Sequence, residues 1–488
     1  MATAIQTTAA TISVTKGPGK SFKLIYLVAG LFMLVASIFI PPPAGMKVEA
    51  VRALAVMLTT LLWWITETFP IPITALMVPV MVHALKIIPL TDALRESFGN
   101  PLIPFMLGVL GLAVALSTSG LGKRISYYLL AVIGTNTAVV IGGYLWMSFF
   151  ISAFIDDMAV IAMMIPLVLG LLKTVDVKPG SSNFGKGMMM AIIFGTVIGG
   201  ICTPAGVSSN IITLAFLNKN ANMHVTFLRW TVLATPICLV IAAITWWLIL
   251  KIFPPEFKHL PYGKEVLKRE AKALGPWSLK EKTTTVVFLA AVVLWLTSDL
   301  TKLPISFISL LILGGIALPR VGVFDNWRDL NKGIEWGAVM LVVGGFIVGT
   351  ASSKSGLATW VVQRLLHPMA LLPVFLQPLA VTLLIAADSL GFSSLATTAS
   401  VNVPFIIAYA QQHGLPVLAL TLTAGFASSI HFILVTQAPA MALPFAYGYF
   451  SFKDLVKIGV SVTLVSAVVI NIGMMIAGMP AGVAMAIK

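Results

Sequence analysis

Two stretches decide the fold of this 488-residue chain: NPLIPFMLGVLGLAVALSTSGLGKRISYYLL (residues 100–130) and IEWGAVMLVVGGFIVGTASSKSGLATWVVQRLL (residues 334–366). Each contains a glycine-bearing apolar helix, then Ser-Gly-Leu, then a piece that is amphipathic enough to lie along a membrane interface. From Gly120 to the helix-breaking Pro166 is 46 residues, and from Gly356 to Pro404 is 48. The matched order and spacing indicate that the chain contains an internal repeat.

The composition shows what surrounds these stretches. Hydrophobic residues make up 58% of the chain and charged residues 10%, with a mean hydropathy of +1.00. A soluble chain carries about 25% charged residues. This composition excludes a soluble enzyme, a disordered protein and a nucleic-acid binder, and it predicts a polytopic membrane protein.

Apolar runs long enough to span a membrane predict eleven crossings. The runs lie at about 22–40, 50–68, 71–88, 101–118, 187–217, 228–252, 283–299, 303–320, 337–353, 415–447 and 455–478. Two further stretches, 138–172 and 373–411, are interrupted near their middle by polar residues, and we interpret them as re-entrant helical hairpins. Each hairpin precedes a predicted broken helix, 187–217 with TPAGVSSN (203–210) and 415–447 with TQAPAM (436–441).

The predicted organisation is one extra helix followed by two repeats. It divides the chain into a tail with the first helix (1–49), a first repeat (50–253), a hydrophilic cytoplasmic connector (254–282) and a second repeat (283–488). Each repeat contains five crossings, an odd number, so the two repeats must have opposite orientations. Inverted repeats with paired broken helices are typical of secondary transporters.

The basic residues predict the orientation. With the N-terminus in the cytoplasm, cytoplasmic segments collect 21 of the 31 Lys and Arg residues, as the positive-inside rule requires. The net charge of +14 then reports topology rather than a nucleic-acid partner. We therefore expect a multi-pass protein of the cytoplasmic (inner) membrane.

The four polar interruptions, two in the hairpins and two in the broken helices, are the expected site. Irregular backbone at membrane depth is tolerated only inside protein or beside a wet cavity. Half-helix N-termini would face an anion, and half-helix C-termini and free carbonyls would suit a cation. For a single break, Ser and Thr bonding to their own backbone is the simpler interpretation; four paired breaks favour a site. The predicted substrate-binding residues are Ser152, Asp157, Ser208, Asn210, Ser393, Ser394, Thr397, Thr398, Thr436 and Pro439. The predicted coupling-ion residues are Asp156, Asp157, Gly200, Thr203, Asp388 and Ser394.

The adjacent acids Asp156 and Asp157 are the sharpest of these predictions. An intramembrane carboxylate costs about 2.5–3.5 kcal/mol on insertion scales, so it points to function. The pair would coordinate Na⁺ or relay protons, and the alternative is that the hairpin tip reaches cytoplasmic water. We interpret Glu67 and Glu335 as acids at helix ends and His431 as a buried, hydrogen-bonded histidine. Because the sequence contains no phosphate loop and no catalytic or metal-ligand motif, it predicts neither an enzyme nor a cofactor, and no metal beyond Na⁺.

Over residues 50–478 the chain resembles the divalent anion/sodium symporters, the INDY-type dicarboxylate transporters of the ion-transporter superfamily. The resemblance is carried by WWITETFPIPITAL (63–76), NPLIPFMLGVLGLAVALSTSGLGKRI (100–125), LGPWSLKEK (274–282), EWGAVMLVVGGFIVGTASSKSGLATWV (335–361) and FSFKDLVKIG (450–459). It implies an elevator-type carrier in which hairpins and broken helices slide against a scaffold that forms a homodimer. It also implies transport of di- or tricarboxylates, or sulfate in some branches, coupled to Na⁺ or to anion exchange.

The chain departs from this family where the family binds its ligands. The family's Ser-Asn-Thr at each hairpin tip corresponds here to 156–158 (Asp-Asp-Met) and 394–396 (Ser-Leu-Ala), counting back from Pro166 and Pro404. The family's Pro-Pro-Asn corresponds to 208–210 (Ser-Ser-Asn) and 439–441 (Pro-Ala-Met). Two acids would repel a dianion unless a cation intervenes, so proton coupling and an ammonium-bearing substrate are open alternatives. We therefore expect a secondary carrier of small organic anions by alternating access; an inorganic-ion carrier (Na⁺/H⁺ or oxyanion exchange) or a carrier of a sulfonate or amino-bearing anion are the alternatives.

Overall fold

The computed structural model describes residues 20–260 and 274–478, apart from 123, 126, 127, 129–133 and 393. Up to residue 260 its helices are α1 (Lys20–Phe39), α2 (Val48–Ile65), α3 (Ile71–Ala84), α4 (Leu90–Ser97), α5 (Leu102–Ser119), α6 (Thr137–Ser152), α7 (Asp157–Thr174), α8 (Asn183–Gly200), α9 (Ser208–Asn220) and α10 (Phe227–Ile252). From residue 274 they are α11 (Leu279–Leu296), α12 (Ile305–Ile316), α13 (Trp327–Gly333), α14 (Trp336–Lys354), α15 (Leu357–Val361), α16 (Gln377–Asp388), α17 (Leu395–Gln412), α18 (Val417–Ala427), α19 (Pro439–Ala446) and α20 (Phe452–Gly473). Short helical turns join several of them, and the described residues otherwise form one isolated bridge, between Asn136 and His259.

The helices are apolar enough for a multi-pass membrane protein. In the described part of the chain, six helical segments are long and apolar enough to cross a membrane: 48–65, 102–119, 227–252, 336–354, 374–391 and 452–476. Shorter apolar helices lie at Lys23–Phe39, Ile71–Ala84, Thr137–Ser152, Ile305–Ile316 and Val417–Ala427. The all-α class and the polytopic character predicted from the sequence are confirmed. The count of eleven crossings stays a prediction.

The repeated Ser-Gly-Leu has the same conformation in both halves. Gly120 and Gly356 both take a φ of 82°, a left-handed conformation that a residue with a Cβ atom rarely adopts. In each turn the serine hydroxyl accepts a hydrogen bond from the leucine amide two residues later. The distance is 3.3 Å both between Leu121 N and Ser119 Oγ and between Leu357 N and Ser355 Oγ. The sequence repeat therefore corresponds to a repeated turn, which ends α5 in one half and follows α14 in the other.

The two predicted hairpins each form two helices, which pack in the same way in both halves. In the first half α6 and α7 pack against α8, the helix that precedes the first break. In the second half α16 and α17 pack against α18, the helix that precedes the second break. The helices after the breaks cross over, because α9 packs against α17 and α19 packs against α7. This exchange brings both hairpins and both breaks together at one place.

A buried ion pair joins the end of the first repeated stretch to the start of α11. Arg124 Nε lies 2.7 Å from Glu281 Oε1 and Arg124 Nη2 lies 3.1 Å from Glu281 Oε2, with side chains 2% and 7% exposed. Arg124 also donates to the carbonyl oxygens of Gly275 (2.9 Å), Leu274 (3.2 Å) and Pro276 (3.3 Å). Ser278 caps α11 in a reciprocal arrangement with Glu281. The bidentate geometry suits the planar guanidinium and fixes the chain before α11 against the first half.

Candidate functional site

A cavity of about 530 Å³ lies where the hairpins and the breaks meet. It is lined by Lys23, Glu67, Pro70, Ile71, Pro72, Asp156, Asp157, Met158, Val207, Ser208, Glu335, Gly337, Ala338, Leu341, Ser394, Leu395, Ala396, Ala438 and Ala440. Its volume is in the range of pockets that hold small molecules. A smaller cavity of about 370 Å³ shares Asp156, Met158 and Glu335 with it.

Six helices begin at the wall of the 530 Å³ cavity: α3, α7, α9, α14, α17 and α19. Four of these, α7, α9, α17 and α19, follow a hairpin tip or a break. The N-terminus of a helix carries exposed N–H groups and a partial positive charge. In three of the four, the residue before the helix (Val207, Ser394 or Ala438) makes no side-chain capping hydrogen bond. These three helix ends are therefore free to face an anion.

The fourth helix end is capped by its own acid. Asp156 precedes α7, and its Oδ1 accepts a hydrogen bond from the Met158 amide at 3.0 Å. This is the ordinary capping role of an aspartate, and it places a carboxylate where the other three helices present N–H groups. The cavity wall therefore carries negative charge at the start of α7 and partial positive charge at the starts of α9, α17 and α19.

Asp157 is buried, and only one of its two carboxylate oxygens has a hydrogen-bond partner among the described residues. The residue is 5% exposed, and its Oδ1 accepts a hydrogen bond from Ser152 Oγ at 2.8 Å. Its Oδ2 is buried and has no hydrogen-bond partner among the residues that the structure describes. A Cβ atom built on Gly200 would lie 2.9 Å from Asp157 Oδ1 and 2.6 Å from Val207 Cγ1, so only glycine fits beside this carboxylate without displacement. A buried carboxylate oxygen without a partner is costly, which points to a ligand that supplies one.

The first break is held open by a buried amide. Asn210 Nδ2 donates to the carbonyl oxygens of Gly200 at 2.9 Å and of Thr203 at 2.7 Å, and the second of these also accepts from the Gly206 amide at 3.2 Å. The Thr203 hydroxyl donates to the carbonyl of Ala153 in the hairpin and accepts from the amide of Ala205 at 3.1 Å. These residues shape the backbone beside Asp157 and do not line the cavity.

The second break is closed by a polar network around His431. Its Nδ1 lies 2.8 Å from the carbonyl oxygen of Gln437, so this nitrogen carries the proton, and its Nε2 accepts from Thr398 Oγ1 at 3.1 Å. Gln437 Nε2 donates to Ser389 Oγ at 2.9 Å, and Gln437 Oε1 accepts from the amides of Ile433 and Leu434. His431 is thus hydrogen-bonded on both ring nitrogens.

The structure brings some of the predicted residues together and leaves others apart. Asp156, Asp157, Ser208 and Ser394 line the cavity, and the Pro439 backbone lies between its lining residues Ala438 and Ala440. The following residues lie elsewhere: Ser152, Gly200, Thr203 and Asn210 behind the wall; Thr397 and Thr398 buried in α17; Thr436 exposed in a short turn within the second break; and Asp388 at the end of α16, accepting from Asn402 Nδ2 at 2.7 Å. The side chain of Pro439 and the whole of Ser393 are outside the described residues.

Three charged lining residues were not among the predicted site residues: Lys23, Glu67 and Glu335. Lys23 Nζ donates to the backbone oxygen of Glu67 at 2.6 Å, and Glu67 takes a positive φ of 46° just after α2. The sequence did place Glu67 and Glu335 at the ends of apolar runs, but helix ends are ordinary places for acids. Only the folded structure shows that these two acids line the cavity.

The described apolar helices define a polytopic membrane protein. The chain belongs to the divalent anion/sodium symporters: the family described as the sodium:sulfate symporter transmembrane region matches residues 21–482. Its membership places it among transporters rather than enzymes.

Named relatives agree with this membership. The chain is 27% identical over 479 residues to the sodium-dependent dicarboxylate transporter SdcS of Staphylococcus aureus, both from strain bovine RF122 / ET3-1 and from strain USA300, with 93% of this chain and 91% of each relative covered. Among solved structures, the Alcanivorax borkumensis YdaH transporter is similar in fold, with a TM-score of 0.54 and 15% identity over 94% of this chain and 98% of that one.

Proposed function

We propose that this protein is a secondary active transporter of small organic anions of the di- or tricarboxylate class. Three uncapped helix N-termini, those of α9, α17 and α19, converge on one cavity, and this single observation carries the proposal. Helix N-termini bind carboxylate, sulfate and phosphate groups through their backbone N–H groups. Membership of the family and the sodium-dependent dicarboxylate transport of the SdcS relatives support the same class of substrate.

Alternating access would follow from the paired halves. The reciprocal packing of α9 on α17 and of α19 on α7 ties the breaks and hairpins into one unit. We infer that the halves are inverted repeats and that this unit moves against the remaining helices as an elevator, in a homodimer in the inner membrane with a cytoplasmic N-terminus. Transport would be driven by Na⁺ or H⁺, or by exchange for a second anion.

Uptake into proteoliposomes tests the proposal. We expect labelled succinate, malate or citrate to accumulate under an imposed Na⁺ gradient, a pH gradient, or exchange against an internal anion. Ala440 lines the cavity, while Ala442 is exposed one half-turn further along α19, so the two alanines give a matched pair. Ala440→Phe should fill the cavity and abolish uptake, whereas Ala442→Phe should retain it. If no anion moves under any of the three conditions, the proposal is wrong.

An inorganic-ion carrier is the second candidate, and the acids favour it. Four lining residues are carboxylates, Glu67, Asp156, Asp157 and Glu335, as a Na⁺/H⁺ exchanger would require. Replacing both Asp156 and Asp157 by Asn would then abolish Na⁺-driven pH changes in vesicles. If vesicles show no such pH change while carboxylate uptake persists, the second candidate is excluded.

A further inference from the structure

The charge of the cavity does not match a simple dianion. Four carboxylate residues line it, and the single amine among its described lining residues, Lys23, is already engaged with the backbone oxygen of Glu67. A doubly negative substrate would enter an acidic wall on one side and three helix N-termini on the other. Like charges in a partly desolvated cavity repel by several kcal/mol unless a positive group intervenes.

Asp157 marks where a positive group would bind. Its Oδ1 is held by the Ser152 hydroxyl, while its buried Oδ2 has no partner in the described protein. Asp156 beside it is committed to capping α7. Asp157 lines the cavity, and its buried Oδ2, which is unpaired among the described residues, would accept a hydrogen bond from a ligand that reaches it.

The surroundings of Asp157 suit an ammonium better than a metal ion. Hard cations such as Na⁺, Mg²⁺ and Ca²⁺ are held by several oxygen ligands at once. The carbonyls that the break exposes nearby, those of Gly200 and Thr203, already accept hydrogen bonds from Asn210 Nδ2. An ammonium needs only directed acceptors for its N–H groups, and a single free carboxylate oxygen provides the strongest kind.

We propose that the substrate is an anion that also carries an ammonium group, an amino dicarboxylate or an amino sulfonate. Its ammonium would donate to Asp157 Oδ2, and its acidic group would face the uncapped N-termini of α9, α17 and α19. This inference rests on the proposed transport function and narrows its substrate class. Such a substrate presents its ammonium to the acidic part of the cavity lining and its acidic group to the helix N-termini.

Matched ligand pairs test the inference on the purified full-length protein. L-aspartate differs from succinate, and taurine from ethanesulfonate, by one ammonium group. Dissociation constants would be measured by calorimetry at pH 7.5, once in Na⁺ and once in K⁺, and uptake of the same compounds would be measured in proteoliposomes. In at least one pair we expect the aminated member to bind at least tenfold more tightly, and to be transported.

Two variants separate an ammonium contact from a general charge effect. Asp157→Asn removes the negative charge that accepts the ammonium. The aminated and unaminated members of the preferred pair should then bind with about equal dissociation constants. Asp325→Asn removes a carboxylate from an exposed position away from the cavity and should leave the preference unchanged. The wild-type comparison decides even if a variant fails to fold.

The possible failures are distinguishable. If succinate is transported and its aminated partner is not preferred in either pair, the ammonium inference is overturned while the proposed function stands. The inference also fails if Asp157→Asn removes a Na⁺ requirement and leaves the preference within the pair unchanged, because Asp157 would then hold the coupling ion. If no compound and no other carboxylate is transported, the proposed function itself is overturned.

Discussion

Replacing Arg124 by Met should destabilise the folded protein strongly, because it leaves Glu281 as an uncompensated buried charge. The pair is bidentate, at 2.7 and 3.1 Å, and its side chains are only 2% and 7% exposed. Breaking a buried ion pair by removing one partner costs about 3–5 kcal/mol. At about 1.4 kcal/mol per factor of ten, the folded-to-unfolded ratio would fall by roughly two to four orders of magnitude.

The accompanying variants show which interaction is lost. Arg124→Lys keeps the charge but loses the bidentate geometry, so it should fall between wild type and Arg124→Met. The double variant Arg124→Met/Glu281→Met removes the unpaired charge and should be much less destabilised than the sum of the two single variants. Lys332→Met breaks the exposed 3.7 Å pair with Asp329, where the side chains are 69% and 54% exposed, and should cost less than about 1 kcal/mol.

Unfolding by sodium dodecyl sulfate in mixed micelles, followed through the fluorescence of the 11 tryptophans, measures these differences. Uptake of the proposed substrate would be measured in parallel, because Arg124 lies away from the cavity lining. Two results would refute the reasoning: an Arg124→Met protein within 1 kcal/mol of wild type, or single-variant effects that simply add.

Three further predictions concern the break, the site and the connector. Gly200→Ala should abolish uptake, since its Cβ would lie 2.9 Å from Asp157 Oδ1. Gly170→Ala should transport normally, since no described atom outside the adjoining helix backbone would lie within 4 Å of its Cβ; equal uptake by both variants would contradict the crowding at Gly200. Asn210→Ala removes the amide that donates to two break carbonyls and should lower the unfolding free energy by about 1–3 kcal/mol in the same micelle assay, and no change would show that the break holds without it. Burial alone would raise the pKa of Glu256, but the N–H groups of Asn183 and Phe184 and the Ser182 hydroxyl hold that pKa below 4.5. The ionised Glu256 therefore stabilises the folded protein above about pH 4.5, and this stabilisation is lost as the pH falls through the folded-state pKa. The melting temperature should therefore drop at acid pH with a shallower slope in Glu256→Gln, and identical slopes would refute this assignment.

Local patterns were sufficient to predict much of the architecture. Apolar length and polar interruptions predicted helices and breaks. The paired Ser-Gly-Leu indicated an internal repeat, and the glycine of each copy has a φ of 82°. The capping of α7 by Asp156 was also accessible, because an aspartate before an apolar run is an ordinary helix start. These features depend on neighbours within a few residues.

Contacts between distant segments could not be predicted in the same way. The His431 network depends on Ser389 and Thr398, which lie in the second predicted hairpin (373–411), and nothing local distinguishes Gln437 as their partner. Glu335 looked like an acid at a helix end until the fold placed it beside Asp156 of the opposite half in the cavity. Interactions of this kind arise only once segments that are distant in the sequence are packed together.

The hydroxyls of Ser209 and Ser429 lie 2.7 Å apart, although 220 positions separate them in the chain. They belong to opposite halves, one just inside α9 and the other just after α18. Because neither hydroxyl is exposed, a substitution at one position leaves the other without its partner. If the halves descend from a duplicated ancestor, these two positions cannot have diverged independently, and a relative that has lost one serine should also have altered the other.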